Sequence, residues 1–381
     1  MSAELPRIGV VAGEASGDLL AASFLAELRR REGRQLAGIG GPAMQAQGFE
    51  AWWPSELLAV HGYAAALKVL PKLLLVRRQL GSRLLQWPAR CFVGVDAPDF
   101  NLGLETRLRA AGVRTLHFVS PSIWAWRRER IDGIRRAVDR MLLVFPFEAA
   151  IYRDAGIAAT YVGHPLADVI PLRPDQARAR RELDLPADAT VIAVLPGSRA
   201  AEISHIAPVF LEAVALLARA QPERRFVLPA AGEDRYRQLQ ALLAARPDRL
   251  PVQLTRGQSY AALEACDFAL VGSGTATLET ALFKRPMVIA YRMSNFSYRL
   301  MKGRGYLPYV GLPNILCGEF VVPEFIQQAA TPQALAHAVE AGLDDTAGRA
   351  RLLERFTELH QQLACGCAGR VADAIAEASA S

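Results

Sequence analysis

The chain has 381 residues, 51% of them hydrophobic, more than a single core usually supports, so two domains of ordinary size are expected and a disordered or fibrous chain is not. A net charge of +6 favours contact with phosphates or an anionic membrane surface and does not specifically indicate nucleic acid. Five cysteines, odd in number and without CxxC spacing, form no disulfide framework and suit a reducing cytoplasm.

A polar lead from Met1 to Pro6 enters a strand-like run without the basic, apolar and small-residue order of a signal peptide, so no export is expected. Short apolar runs then alternate with helical patterns. They fall near Ile8 to Ala12, Leu36 to Ile39, Cys91 to Val95, Thr115 to Val119, Met141 to Val144 and Thr160 to Val162. A second series follows near Val191 to Leu195, Phe226 to Pro229, Val252 to Leu254, Phe268 to Val271 and Met287 to Ala290. This rhythm predicts an α/β architecture of parallel sheets covered by helices on both faces. Pro165, Pro171 and Pro174 mark a linker between the two series. The expected domains are therefore 1–165 and 166–355, with helices over 356–381 that return to the first domain or serve a dimer contact. Ligands in such sheets bind beyond the carboxyl ends of the strands, which is where the polar motifs lie.

After the first strand comes Gly13-Glu14-Ala15-Ser16-Gly17-Asp18, then a helix expected from about Leu19. The glycines permit a tight turn at a helix N-terminus that can meet an anion. An ordinary turn capped by Ser16 or Asp18 reads equally well, and Glu14 can accept from a sugar hydroxyl. From Ala64 to Leu85 an apolar pattern carries Lys68, Pro71, Lys72, Arg77 and Arg78, so it cannot cross a bilayer as an uninterrupted apolar span. It reads either as an amphipathic helix on an anionic membrane or as a core helix made irregular by Pro71.

The run Cys91 to Val95 ends at Asp96, a carboxylate placed for general-base work on a hydroxyl, while Asp99 after Pro98 reads as a helix cap. A turn-stabilising role is the other reading of Asp96. Ser120 to Trp126 and the arginines behind it combine two tryptophans with a basic helix face, suited to a sugar ring or lipid near its phosphate, or else simply solvated.

In the second series, Val191 to Leu195 runs into Pro196-Gly197-Ser198-Arg199 and a long helix, a plausible seat for a diphosphate with Arg199 offsetting charge on a leaving group. It lacks the lysine of a nucleotide-hydrolysing P-loop. Phe268 to Val271 ends in Gly272-Ser273-Gly274-Thr275, with Glu279 about one helical turn further on. That turn can present amides to phosphate and Glu279 can accept from both hydroxyls of a ribose, although a capped helix with a surface glutamate has the same pattern.

Taken in order, GEASGD, FVGVDAPDFN, HFVSPSIWAWR, VGHPLAD, LPGSR with its nearby glutamate, GSGTATLET and GLPNIL resemble the lipid-A-disaccharide synthase family, glycosyltransferase family 19, over nearly the whole chain. The resemblance implies a GT-B fold, two Rossmann-like parallel-sheet domains facing across a cleft. It implies an inverting transfer from UDP-2,3-diacylglucosamine to 2,3-diacylglucosamine 1-phosphate, by a peripheral protein on the cytoplasmic face of the inner membrane. By motif it assigns Asp96 and Arg199 to catalysis. Gly197, Ser198, Ser273, Gly274, Thr275, Glu279 and Asn314 go to UDP, and Glu14 is added more loosely. No cofactor is expected, and no metal, since no DxD pair stands at the diphosphate. The tail from Cys365 matches least well, which leaves a homodimer open. A UDP-sugar 2-epimerase of the same fold and a nucleotide-binding regulator without turnover are the rival readings.

Overall fold

The computed structural model describes residues 6–31, 33–58, 63–294, 298 and 306–380, apart from the side chains of 15 and 63–68. Two compact units emerge, one running to Asp168 and taking up the chain again from Leu363, the other spanning Val169–Gln362.

The first unit holds a seven-stranded sheet, built from β1 (Arg7–Ala12), β2 (Gln35–Gly40), β3 (Glu50–Pro54), β4 (Cys91–Val95), β5 (Arg114–Phe118), β6 (Arg140–Leu143) and β7 (Ala159–Tyr161). Its order is β3-β2-β1-β4-β5-β6-β7, and every neighbouring pair is parallel. The second unit holds six parallel strands, β8 (Val191–Leu195), β9 (Arg225–Ala230), β10 (Val252–Arg256), β11 (Phe268–Gly272), β12 (Met287–Tyr291) and β13 (Glu324–Ile326). Their order is β10-β9-β8-β11-β12-β13.

Central strands such as β4, β8 and β11 are buried at every residue, as a sheet covered on both faces requires. The edge strands β3 and β13 escaped the sequence reading. They are short and only partly buried, so they carry no continuous apolar run.

Helix Ala200–Ala220 is, among the described residues, the one long and apolar enough to cross a membrane, yet it buries Ile203, Phe210, Val214 and Leu217 in the core of the second sheet. Helix Tyr63–Gln86 continues through Pro71 and packs Val76, Leu80 and Leu84 against Phe92, Leu104 and Leu108. Its other side leaves Leu70, Leu74 and Leu75 exposed, between 45% and 56%. Helix Cys367–Ala380 lies on helix Glu14–Arg31, β4 and β5, and Asp168 accepts from the Gly366 and Cys367 amides at its start.

Asp18 acts elsewhere than expected. The first helix already begins at Glu14, and the buried Asp18 carboxylate instead accepts from the amides of Gly41, Ala43 and Met44 at 2.9, 2.9 and 3.1 Å. It caps the helix Pro42–Gln45, whose own N-cap residue, Gly41, has no side chain to do so. Removing it strands buried amides. Asp18→Ala is therefore expected to lower stability by about 2–4 kcal/mol, read as a reduced denaturant midpoint at unchanged slope.

Candidate functional site

Each sheet has one place where the strand order reverses, so that neighbouring connections leave towards opposite faces and a crevice opens beyond the strand ends. In the second sheet this place lies between β8 and β11, paired with Leu195 beside Val271. A pocket of about 530 Å³ opens there, the size of a small-ligand site. Its walls include Gly197, Ser198 and Arg199 from the turn after β8 and Ser273, Gly274, Thr275 and Glu279 from the turn and helix after β11. Two stretches some seventy residues apart in the chain thus form one surface.

Gly197 takes a φ of +119°, and a Cβ there would lie 2.7 Å from the Glu202 carboxylate, so the turn needs glycine on both counts. The Glu202 carboxylate accepts from the Ser198 and Arg199 amides at 3.3 and 3.2 Å, and from the Arg199 guanidinium at 2.9 Å. These two amides, which the sequence offered to a diphosphate, are thus engaged by a side chain of the protein. The guanidinium of Arg199 remains largely exposed, with 61% of its side chain accessible. After β11, Gly274 sits at the N-cap of helix Thr275–Leu282 with a φ of +138° and open space around it. Among the described residues no side chain caps this helix, so its first amides and its dipole face the pocket as the better anion seat.

Glu279 is held by a residue the sequence reading missed. The hydroxyl of Tyr260 lies near enough to its carboxylate to favour the charged form, and the Tyr260 ring stands edge-on to Phe283 at 5.5 Å. Burial raises the Glu279 carboxyl above its ordinary value while this contact opposes the rise; burial and the Glu279 charge push Tyr260 up to about 12. An aromatic residue in the helix Ser259–Ala265 gave no local sign of this partnership.

Asn314 is not among the residues lining this pocket. Its side chain is fully buried: Nδ2 donates to the Val322 carbonyl and Glu324 at 2.9 and 2.8 Å, and Oδ1 accepts from the Val321 and Val322 amides at 2.9 and 3.0 Å. Its hydrogen-bonding capacity is fully used. The effect is to fix a loop, since Glu324 also accepts from the Val310 and Gly311 amides, and the Val310 carbonyl faces the Ser273 hydroxyl at 3.5 Å.

In the first sheet the order reverses between β1 and β4, where Ala12 pairs with Val95. Asp96 follows Val95 directly, and Glu14 follows Ala12 with Gly13 between them. Both have left-handed backbones, with φ of +57° and +49°, and Asp96 is exposed at the strand end. The bulk of the unit around Asp96 raises its carboxyl above the ordinary value; His117 opposes this, and Glu14 adds to it. Asp99 does not cap its helix through its side chain: the N-cap of Pro98–Ala110 is Ala97, and Asp99 pairs instead with Arg130 at 2.7 Å. The two tryptophans divide. Trp124 is buried, donating to Glu148 at 3.1 Å and packing edge-on against Phe147, while Trp126 stays partly exposed with Arg127 4.3 Å above its ring.

Among the described residues no cluster of three His, Cys, Asp or Glu side chains is placed to hold a metal.

The chain matches the family described as lipid-A-disaccharide synthetase over residues 8–375. It is 53% identical to the lipid-A-disaccharide synthase of Aromatoleum aromaticum over 97% of this chain and 95% of that one, and 54% identical to that of Verminephrobacter eiseniae over 97% and 96%. Among solved structures it resembles the glycotransferase of kitacinnamycin (TM-score 0.66, 18% identity, covering 99% and 100%). It also resembles the UDP-GlcNAc 2-epimerase of Neisseria meningitidis bound to UDP-GlcNAc (TM-score 0.64, 11% identity, covering 96% and 98%). At these identities the structural likeness speaks for the fold, the GT-B type, and both chemistries occur on it.

The Tyr260 contact has a direct consequence. In Tyr260→Phe the Glu279 carboxylate loses the donor that favours its charged form, so its titration moves to higher pH, which carboxyl ¹³C NMR of parent and variant resolves.

Proposed function

The chain belongs to the lipid-A-disaccharide synthase family, glycosyltransferases of lipid A synthesis, and from that premise we propose how its residues divide the reaction. The donor is UDP-2,3-diacylglucosamine and the acceptor is 2,3-diacylglucosamine 1-phosphate. Asp96 takes the proton of the acceptor 6-hydroxyl as that oxygen bonds to the anomeric carbon of the donor. The bond to the diphosphate breaks on the opposite face and its electron pair leaves with UDP, so an α-linked donor gives a β-1,6-linked disaccharide 1-phosphate.

Arg199 and the first amides of helix Thr275–Leu282 offset the charge that grows on the departing diphosphate. Ser198, Ser273 and Thr275 supply hydroxyl donors around it, and Glu279 accepts from the ribose. Asn314 acts through the loop it fixes, and Glu14 meets a sugar hydroxyl beside Asp96. The observation that carries this division is the convergence of seven expected residues on one pocket at the reversal of the second sheet. The raised carboxyl of Asp96 at the matching place in the first sheet suits a base better than an ordinary aspartate. The likeness to an epimerase is one of fold alone and does not favour that chemistry.

Mass spectrometry after mixing both acylated glucosamines should show the disaccharide 1-phosphate and UDP, and no epimer when UDP-N-acetylglucosamine is supplied alone. Asp96→Asn is expected to slow transfer about a thousandfold with UDP affinity kept. Arg199→Ala should slow it about a hundredfold. Transfer at the parent rate in Asp96→Asn would remove the base.

We further propose that the protein meets an anionic membrane through helix Tyr63–Gln86. Leu70, Leu74 and Leu75 are exposed beside Lys72 and Arg78, the mixture that gains from apolar burial and from anionic lipid together. Arg77 turns away, towards the Asp99 carbonyl at 3.4 Å, and the side chain of Lys68 lies outside the described residues. Changing Lys72 and Arg78 to glutamine is expected to weaken cosedimentation with anionic vesicles about tenfold or more. Unchanged binding would place the contact elsewhere.

A further inference from the structure

Beneath the end of β4 lies a polar cluster that the reaction scheme above does not use. Asn101, Glu105 and His117 are each 0% exposed, in the middle of an otherwise apolar packing. His117 Nδ1 stands 2.7 Å from Glu105 Oε1. Asn101 Nδ2 donates to the carbonyl of Asp96 itself, at 2.8 Å. Room for the cluster comes from Gly94, two residues before Asp96 and in register with His117 on β5. A Cβ on Gly94 would fall 2.1 Å from Glu105 Oε1 and 3.0 Å from the Asn101 Cβ.

Burying a carboxylate and an imidazole costs free energy unless each is paired, and packing alone would be served as well by apolar side chains. The cluster is not even fully satisfied: Asn101 Oδ1, Glu105 Oε2 and His117 Nε2 have no partner among the described residues. Such buried groups beside a functional carboxylate call for an explanation beyond stability. We propose that Glu105 and His117 form a positioning pair for Asp96: Glu105 holds the His117 imidazole protonated beneath the strand end, and that cation keeps Asp96 ionised and ready to accept a proton.

The charged groups acting on Asp96 are His117 from β5 and Glu14 from the first helix; those acting on His117 are Glu105 from helix Pro98–Ala110 and Asp96. Burial disfavours charge on both members of the pair, and it opposes protonation of His117. The contact with Glu105, at 2.7 Å, outweighs this and raises the imidazole. The bulk of the surrounding fold and Glu14 would otherwise favour a neutral Asp96, and the imidazolium is the charge that opposes them. Asn101 fixes the backbone that carries the carboxylate. The proposal rests on Asp96 as the base, and its test separates the two.

The first measurement leaves the buried cluster intact. Imidazole NMR should show His117 holding its proton to higher pH than an ordinary imidazole in the parent protein and losing it at lower pH in Asp96→Asn, because linkage between two sites is reciprocal. A neutral imidazole in the parent, or the same titration in both proteins, overturns the pair. The second measurement is the pH dependence of transfer in Glu105→Gln and His117→Gln, each checked for a cooperative thermal transition. Loss of the cation moves the acid limb to higher pH, so kcat/KM should fall at the acid end of the profile and recover towards the parent value at the alkaline end, with donor KM unchanged. A uniform loss at every pH would mean a structural role only and overturns the proposal. Should Asp96→Asn retain transfer, the base assignment fails while the imidazole titration still reports on the pair.

Discussion

A parallel strand can be hydrogen-bonded along its whole length, but its carboxyl end must hand the chain to a helix on one face or the other. Where two neighbours choose opposite faces, no connection crosses the gap between them. Both sheets of this protein have such a gap, between β1 and β4 and between β8 and β11, and the polar motifs collect there. The same geometry explains the glycines: Gly197 and Gly274 carry left-handed backbones that bend the chain sharply and leave room for a ligand.

At the second gap the electrostatics are shaped before any substrate arrives. Glu202 engages the two amides of one turn and the guanidinium of Arg199, which leaves the uncapped helix Thr275–Leu282 as the open source of donors. The Arg199–Glu202 pair is exposed and contributes little to stability, but it fixes where the cation points. Glu279 is likewise aimed by Tyr260, so two side chains of opposite charge are each oriented by a neighbour that is itself anchored in the fold.

The first gap is built over buried polar groups. Beneath Asp96 lie Asn101, Glu105 and His117; nearby, Glu148 accepts from the Trp124 indole and the Phe145 amide, and burial raises its carboxyl to about 7. Groups of this kind are costly to desolvate, and their partners decide whether they remain charged. The loop from Ser120 to Trp126 is thereby tied inwards through Trp124 and through Ser120, whose hydroxyl meets that of Tyr152 at 2.6 Å.

Amino-acid order by itself determined the alternation of strands and helices, the placing of Asp96 and Arg199 at or just beyond strand ends, and that of Glu279 in the helix that follows one. A buried parallel strand is a short apolar run, and the residue that follows it is found by counting along the chain. Tertiary structure alone decided what each polar side chain touches. Asp18 caps a helix more than twenty residues away, Trp124 faces inwards, the Asn314 amide is consumed inside its own loop, and Glu105 meets His117 across a glycine. One local sign of that last contact stood in the sequence, a glycine inside the apolar strand Cys91–Val95, but it could not name the group that fills the space. Backbone periodicity is a property of neighbours in the chain, whereas hydrogen-bond partners are chosen by whichever elements the packing brings within 3 Å of one another.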